Sequence, residues 1–402
     1  KVKLGDIATF SNGINFNKTA YAKGIKLIGV SNFGDRFYPD YSQLQEVKKD
    51  IVRLEDCLRN GDIVFVRSNG NKELVGRCML VKNPTERVTY SGFCIRARLN
   101  DTDRYDPVYF TYYFKSKAFR RAVSGTAVGA NIQNLSQARL SNHECRIPSI
   151  EVQHRIADIL SVYDDLIENN QKQIKLLEEA AQRLYKEWFV DLRFPGYENT
   201  KIVDGVPEGW RVASIADICD TVGGGTPSTK IQSYYERGDI LWVTPTDITR
   251  NFSLALLDTE KKITPEGLKN SSAKMLPAET ILMTSRASVG FFGMCKYEVC
   301  TNQGFISCIP KRENLQMYLL FNLKSRVEEI RQKAGGSTYL EISKTVFREL
   351  KIILPKDEVL AEYQKNVHDI FDEIYCRTEM IKSLVDMRNR VLPKLMSGEV
   401  EV

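Results

Sequence analysis

The sequence has few histidines and no cysteine pair with the spacing of a metal or redox site. It has three histidines, His143, His154 and His368, and none has an acid, base or metal-ligand partner at a recognisable spacing. The nine cysteines form no C-x-x-C pair, so we expect reduced, mostly buried thiols rather than a zinc ribbon or a redox pair. Neither a histidine-centred active site nor a bound metal or cofactor is expected of this chain.

Long hydrophobic runs are also absent. No apolar segment approaches the roughly 20 residues that a membrane helix requires, and the N-terminus does not have the pattern of a signal peptide. A cytoplasmic location without a membrane partner is therefore expected. At 402 residues the chain exceeds what one hydrophobic core usually supports, so at least two domains are predicted.

One glycine-rich segment, residues 223–230, superficially resembles a phosphate-binding loop. It does not have the G-x-x-x-x-G-K-[ST] spacing, and Pro227 interrupts the series of backbone amides. No glycine fingerprint or paired-proline motif for an adenosyl cofactor is present either. The segment therefore favours a flexible surface turn over a nucleotide site.

A second weak motif resembles a metal-dependent nuclease. Asp40, Glu46 and Lys48 match a loose pattern in which two acids bind Mg²⁺ and a lysine assists the attacking water. The pattern is short and common by chance, and it lies in a Tyr-rich segment without an apolar strand to position the acids. A self-contained Mg²⁺ nuclease remains an alternative hypothesis.

What the sequence does contain is an internal repeat, because its second half restates the first. Ile147-Pro148 corresponds to Leu354-Pro355, and the same shift of 207 positions continues without a gap to residues 184 and 391. Upstream the match needs gaps, and there Gly92-Phe93 resembles Gly304-Phe305. Each half is thus a variable globular part followed by a closely repeated tail.

The two tails carry a heptad pattern, with apolar residues at alternating spacings of four and three. Neither helix can bury such a stripe alone, so each is the expected partner of the other. The predicted seam of the helix pair consists of Ile156, Leu160, Tyr163, Ile167, Ile174, Leu177 and Leu184 in the first tail and Tyr363, Val367, Ile370, Ile374, Ile381, Leu384 and Val391 in the second.

The globular parts are predicted to be α+β. Residues 93–99 alternate as in a half-buried strand, and each half has one clear helix, over 107–123 and 314–333. The aromatic cluster at residues 109–114 is interpreted as core rather than as a base-stacking surface. A parallel helix pair of about 50 Å would need a fully extended connection back to its start, so antiparallel pairing is expected. The predicted fold is two α/β domains related by a pseudo-twofold axis and separated by an antiparallel two-helix coiled coil.

Charge is distributed unevenly between these parts. Residues 1–150 hold 24 basic and 14 acidic side chains and residues 196–355 hold 20 and 18, whereas residues 151–195 hold 6 and 9 and residues 356–402 hold 7 and 10. Positive globular parts and negative helices favour a polyanion as partner of the domains and a different partner for the helices. Solubility alone is the alternative explanation.

Polar and basic loops follow the predicted strands, and residues of these types donate to base edges or to phosphates. The candidate nucleic-acid contacts in the first half are Arg67, Ser68, Asn69, Asn71, Lys72, Asn131 and Gln133. Those in the second half are Thr226, Ser228, Lys230, Ser285, Arg286, Ser288, Ser337 and Thr338.

A tandem of variable domain and heptad helix, repeated once, resembles the specificity subunit of type I restriction–modification systems over essentially the whole chain. The supporting segments are Gln153 to Leu160, Leu184 to Phe189, Val206 to Trp210, Gly224 to Pro227 and Leu392 to Val400. The first domain departs from the family pattern, with residues 11–15 (Ser-Asn-Gly-Ile-Asn) in place of Gly-Gly-Thr-Pro, and its start suggests a trimmed N-terminus. The two domains are therefore expected to recognise different half-sites.

The resemblance implies target-recognition domains at 1–150 and, with the linker, 194–355, and conserved helices at 151–193 and 356–402. It implies a non-catalytic subunit that binds a split, asymmetric target in double-stranded DNA and docks two methyltransferase subunits through its helices. Those subunits would methylate adenine with S-adenosylmethionine, and separate ATP-driven restriction subunits would translocate and cut the DNA. A scaffold that does not bind DNA is the third hypothesis.

Overall fold

The computed structural model describes residues 1–34, 36–69, 74–124, 134–336 and 340–402. The chain divides into two compact units. Unit 1 comprises residues 1–167 and 384–402, and unit 2 comprises residues 168–383. Each unit therefore combines one globular domain with parts of both long helices.

Unit 1 contains an α+β domain. Its strands are β1 (Val2–Lys3), β2 (Ala8–Asn12), β3 (Tyr21–Ile28), β4 (Gln45–Val47), β5 (Ile63–Val66), β6 (Cys78–Leu80), β7 (Val88–Tyr90), β8 (Cys94–Leu99) and β9 (Glu144–Cys145). Its helices are α1 (Leu4–Ile7), α2 (Pro107–Lys115), α3 (Lys117–Ser124), α4 (Gln137–Ser141) and the beginning of α5 (Ile150–Tyr185).

The main sheet of unit 1 has four antiparallel strands in the order β2-β8-β5-β6, and a second sheet has the order β4-β3-β7 with β3 and β7 parallel. All four residues of β5 are buried because the sheet has a core on each side. Ile63 and Phe65 lie in one cluster, and Val64 and Val66 in the other. This alternation is what a central strand requires.

The helix predicted over residues 107–123 is interrupted at Ser116, whose backbone is extended, so it forms α2 and α3 instead. Asp106 caps α2 by accepting from the Tyr109 amide at 2.7 Å. Tyr109, Phe110, Tyr112 and Phe114 are all at most 4% exposed. The interpretation of the aromatic cluster as core is confirmed.

Unit 2 repeats this domain. Its strands are β10 (Ile202–Val203), β11 (Val206–Pro207), β12 (Arg211–Ser214), β13 (Cys219–Gly223), β14 (Ile240–Val243), β15 (Lys262–Ile263), β16 (Ile281–Thr284), β17 (Phe292–Gly293), β18 (Cys300–Thr301), β19 (Phe305–Pro310) and β20 (Lys351–Leu354). Its helices are the second half of α5, α6 (Ile215–Ile218), α7 (Pro245–Thr249), α8 (Pro265–Lys269), α9 (Gln316–Ser325), α10 (Val327–Lys333), α11 (Lys344–Arg348) and most of α12 (Asp357–Ser397). The predicted helix over 314–333 is likewise two helices, which meet at Arg326.

The sheets of unit 2 have the same topology as those of unit 1, with the order β13-β19-β16-β17 for the main sheet and β15-β14-β18 for the second. Strand registers also correct one sequence correspondence. Thr284 pairs with Phe305 as Val66 pairs with Cys94, so Phe305 corresponds to Cys94 and not to Phe93. Phe305 is a buried strand residue, whereas Phe93 precedes its strand and is 64% exposed. The predicted pairing of Gly92-Phe93 with Gly304-Phe305 was wrong by one residue.

The two long helices run antiparallel within each unit. In unit 2, the Tyr363 hydroxyl donates to the Ala181 carbonyl and Arg377 donates to Asn170 at 3.1 Å. Residues later in α12 therefore contact residues earlier in α5. In unit 1, Arg388 of α12 pairs with Asp164 of α5, and Leu392, one turn later in α12, lies in the same core cluster as Ile156, which is earlier in α5. The predicted antiparallel pairing is confirmed inside each unit.

All fourteen predicted seam residues lie in the described part of the chain, and each is buried or half-buried. The buried face is nevertheless wider than the heptad pattern indicated. Asp164 and Tyr185 of α5 are also buried, where they bond to Tyr112 and Asn322 of the globular domains. A helix that packs against a domain as well as against another helix needs this wider stripe. Among the helices of the described residues, none is apolar over a length that could cross a bilayer.

Candidate nucleic-acid interface

The corresponding ends of β2 and β13 form the same turn in both domains. The Ile14 amide donates to the Tyr90 carbonyl at 2.9 Å, and the Gly225 amide donates to the Thr301 carbonyl at 2.9 Å. The residue before each donor is a glycine, Gly13 or Gly224. The sequences of the two turns differ, but this main-chain hydrogen bond is the same in both.

Only glycine fits at these two positions because the backbone of the neighbouring segment is too close for a side chain. A Cβ on Gly13 would lie 2.2 Å from the Tyr90 carbonyl oxygen, and one on Gly224 would lie 2.1 Å from that of Thr301. Residues 90–93 and 301–304, which we call the central turns, therefore hold the β2 and β13 ends in one fixed geometry. The replacement of Gly-Gly-Thr-Pro in the first domain keeps the one glycine that this geometry requires.

In the first domain a second segment reaches the central turn from the end of β5. The Arg67 amide donates to the Phe93 carbonyl at 2.8 Å, and its guanidinium donates to the Gly92 carbonyl at 3.2 Å. The Arg67 carbonyl accepts from Leu135, which precedes α4. Asn15 and Phe93 are exposed beside Gly92, which accepts from the Arg67 guanidinium. The Arg67, Asn15 and Phe93 side chains therefore share one surface.

The second domain assembles the same surface from different side chains. Ser285 occupies the position of Arg67, since its amide donates to Gly304 at 2.8 Å and its carbonyl accepts from Ile342 at 3.0 Å. The Thr226 hydroxyl bonds to Gln303 of the central turn, and both residues are exposed. Arg286 follows Ser285 and lies 3.7 Å from the Glu341 carboxylate at the surface.

The predicted nucleic-acid contacts differ in their exposure to solvent. Thr226, Ser228, Lys230, Arg286 and Ser288 are exposed, and Arg67, Ser68 and Asn69 are half-buried. The remaining candidates other than Ser285 lie outside the described residues, namely Asn71, Lys72, Asn131, Gln133, Ser337 and Thr338.

Ser285 does not belong to this surface in the described conformation. Its side chain is 3% exposed, because the residue continues β16 and is bonded on both sides through its backbone. A side chain buried in this way cannot contact a base without rearrangement of the strand end. The prediction of Ser285 as a nucleic-acid contact is therefore wrong for this conformation.

Sequence reasoning missed several residues at the surface. Asn15, Phe93 and Gln303 are exposed on or beside the central turns, and the Lys344 ammonium lies close to Gly223. The signal was present in the repeat, since Lys344 follows the Ser343 cap of α11 as Gln137 follows the Ser136 cap of α4. The gapped alignment upstream of residue 147 hid it.

The nuclease motif is held by ordinary structural contacts. Asp40 accepts from the Ser42 amide and hydroxyl and pairs with Arg36 at 3.0 Å, while Glu46 accepts from the Gly24 amide at 2.6 Å. Burial alone would raise the pKa of Asp40, but the Ser42 hydrogen bonds and the Arg36 charge outweigh it and lower that pKa. Each carboxylate therefore has a role in shaping its own loop.

The glycine-rich segment at 223–230 is also accounted for by its contacts. The Gly225 amide donates to Thr301, and the Gly225 carbonyl accepts from the Trp242 indole at 3.0 Å. The Pro227 carbonyl accepts from the Tyr235 hydroxyl at 2.6 Å. The main chain is hydrogen-bonded within the domain, so the segment is a fixed turn and not the flexible turn that was expected.

The prediction that no histidine has an acidic partner at a recognisable spacing is wrong for His368. Its two ring nitrogens lie 3.0 Å from Glu279 and 3.4 Å from Asp372, which follows it by one helical turn. The Lys296 ammonium lies 2.6 Å from Asp372. Because the Lys296 ammonium pairs with one of the two carboxylates and the group links α12 to the globular domain, we interpret it as a packing contact of unit 2.

A repeated α+β domain with a polar, partly basic surface at equivalent turns defines a tandem recognition protein. The family model for the type I restriction modification DNA specificity domain matches residues 1–179 and 207–385. The chain belongs to this family and carries two copies of its domain. Members of the family recognise DNA targets as non-catalytic subunits.

Two curated relatives illustrate the similarity. The type I restriction enzyme HindI specificity subunit of Haemophilus influenzae is 26% identical over 433 residues, which cover 92% of this chain and 90% of the relative. The MjaIX specificity subunit of Methanocaldococcus jannaschii is 38% identical over 173 residues, but these span only 42% of this chain and 39% of that protein.

Among solved structures, the S subunit of a type I restriction–modification system from M. genitalium matches with a TM-score of 0.56. The match has 16% sequence identity and covers 98% of this chain and 94% of that one. At this identity the likeness concerns the fold, which agrees with the predicted α+β class.

Proposed function

We propose that this chain is the specificity subunit of a type I restriction–modification enzyme and that each domain recognises one half of a split, asymmetric target in double-stranded DNA. The observation that carries the proposal is the pair of central turns. They present equivalent surfaces with different side chains, namely Asn15, Phe93 and Arg67 in one domain and Thr226, Gln303 and Arg286 in the other.

The chemistry of these side chains suits base recognition. Arginine donates bidentately to guanine and glutamine bonds bidentately to adenine in the major groove, whereas hydroxyl and ammonium groups such as Ser228 and Lys230 position the phosphates. The excess of basic residues in both globular parts adds a sequence-independent attraction. Because the two sets differ, the two half-sites should differ.

The long helices are proposed to dock two methyltransferase subunits and, through them, the restriction subunits. Ile159, Val162 and Leu166 of α5 are spaced by three and four residues on one helix face, and they are 39%, 56% and 42% exposed. An exposed apolar stripe on a net acidic helix is suited to a protein partner rather than to DNA. The assembled complex would methylate adenine and cut DNA at the expense of ATP, and this chain would contribute the target choice.

A methylation map tests the proposal. Arg286→Ala, assembled with the modification subunits, should relax the preference at one position of one half-site, with a loss of about 1–3 kcal/mol in binding. Arg312→Ala is the control, because Arg312 lies beyond the opposite end of β19 from the central turn. A uniform loss on all sequences would assign Arg286 to a phosphate, and an unchanged map would remove it from the interface.

A further inference from the structure

The buried layers of the helix pair differ between the two units. In unit 1, Asp164 of α5 forms an ion pair with Arg388 of α12, and their side chains are only 5% and 12% exposed. The repeat shift of 207 takes Asp164 to Phe371 and Arg388 to Ala181. These two residues are buried in unit 2, at 2% and 1% exposure. One layer is therefore charged where its counterpart is apolar.

The charged layer is well satisfied. Tyr112 donates its hydroxyl to the second oxygen of Asp164 at 2.6 Å, and Arg388 also donates to Asn389 at 3.3 Å. Burial first, and the Asp164 charge second, raise the pKa of Tyr112 well above its usual range, so it remains a donor. Either charge without its partner would be buried alone, which costs far more than the pair contributes.

A second polar contact joins two residues that occupy the same position of the repeat in the two helices. Arg377 donates to Asn170 at 3.1 Å, and the shift of 207 makes the two residues equivalent. Arg377 also pairs with Glu373. In a pair of identical helices, this position would hold two asparagines or two arginines.

We propose that these layers make the helix pairing selective, so that α5 accepts α12 and neither helix accepts a second copy of itself. Two α5 helices in the same register would place each Asp164 opposite an Ala181. Two α12 helices would place each Arg388 opposite a Phe371 and Arg377 against Arg377. The partner of each helix is therefore the other long helix of this chain. The unpaired buried charges disfavour complexes that carry two identical domains.

The first test uses the chain with a protease site inserted after Asn199, in an exposed turn, and cleaved after folding. Natural fragments and fragments with exchanged charges, Asp164→Arg and Arg388→Asp, are mixed in urea and refolded together. Native mass spectrometry should show the matched pairs, natural with natural and exchanged with exchanged, in at least about tenfold excess over the mismatched pairs. A statistical mixture would overturn the proposal.

The second test copies the apolar layer of unit 2 into unit 1. The cleaved chain with Asp164→Phe and Arg388→Ala should form dimers of identical N-terminal fragments, which the natural chain should not form. The control Glu168→Gln with Lys172→Gln removes an exposed ion pair of the same helix and should behave as the natural chain does. Identical-fragment dimers in the natural protein, or their absence from the Phe/Ala variant, would show that the charges do not select the partner.

Discussion

The two globular domains hold the same central turn in place with different sequences. The Ile14 amide bond to Tyr90 in the first domain has its counterpart in the Gly225 amide bond to Thr301 in the second, whereas Gly92 of the first central turn is replaced by Gln303. Where backbone meets backbone, only one residue type fits. Where side chains face solvent, the sequence is unconstrained by packing. The comparison shows one backbone arrangement that carries two different sets of exposed side chains.

The largest loss of stability is expected from a charge placed in the buried seam of the helix pair. Ile174→Asp should destabilise the protein by about 3 kcal/mol or more, because Ile174 is 1% exposed in the helix pair. Leu176→Asp, two residues along the same helix at a 61% exposed position, should change the free energy of unfolding by less than about 0.5 kcal/mol. Chemical denaturation measures both. Equal losses would mean that the seam is not buried as described.

A smaller loss should follow when the glycines of the central turns acquire a methyl group. Gly13→Ala and Gly224→Ala should each cost about 1–3 kcal/mol, since the new Cβ would overlap a backbone carbonyl. Gly29→Ala and Gly335→Ala are the controls, because nothing crowds their Cβ positions more closely than 3.6 Å. If only one of the two substitutions lowers the free energy of unfolding, the two turns do not contribute equally to stability.

A specific loss is expected at the surface where the domains differ. Gln303→Gly gives the second domain the residue that Gly92 supplies in the first, and it should weaken binding by about 1–3 kcal/mol. Preference should be lost in one half-site, with stability unchanged, because Gln303 is exposed. Binding curves on single-base variants of the target at constant salt would measure it. A change in the other half-site would contradict the assignment of one half to each domain.

The last prediction changes the spacing and not the affinity of the half-sites. If the helix pair sets the distance between them, a seven-residue insertion after Asn170 and another after Arg377 keeps the seam in phase. The pair then lengthens by about 10 Å, or roughly three base pairs of B-DNA. Methylation mapping should find the same half-sites with a gap two or three pairs longer. An unchanged gap with full activity would restrict the helices to docking.

Periodicity made much of this fold predictable. The shift of 207 and the heptad spacing identified the helix pair, because a stripe of one period can be buried in only a few ways. The short connection between the helices predicted their antiparallel direction, and the alternating strand patterns predicted the α+β class of the domains. The breaks at Ser116 and Arg326 were not predictable, since helix periodicity continues across both.

The sequence by itself determined the repeat, the seam and the family. Tertiary structure alone decided that Ser285 is buried, that Gln303 and Phe93 lie at the surface, and that Asp164 meets Arg388. Repeats and heptads are local in sequence, so their spacing is written in the chain. Which side chain faces solvent at a turn, and which charge finds a partner 224 positions away, depends on segments brought together only by folding.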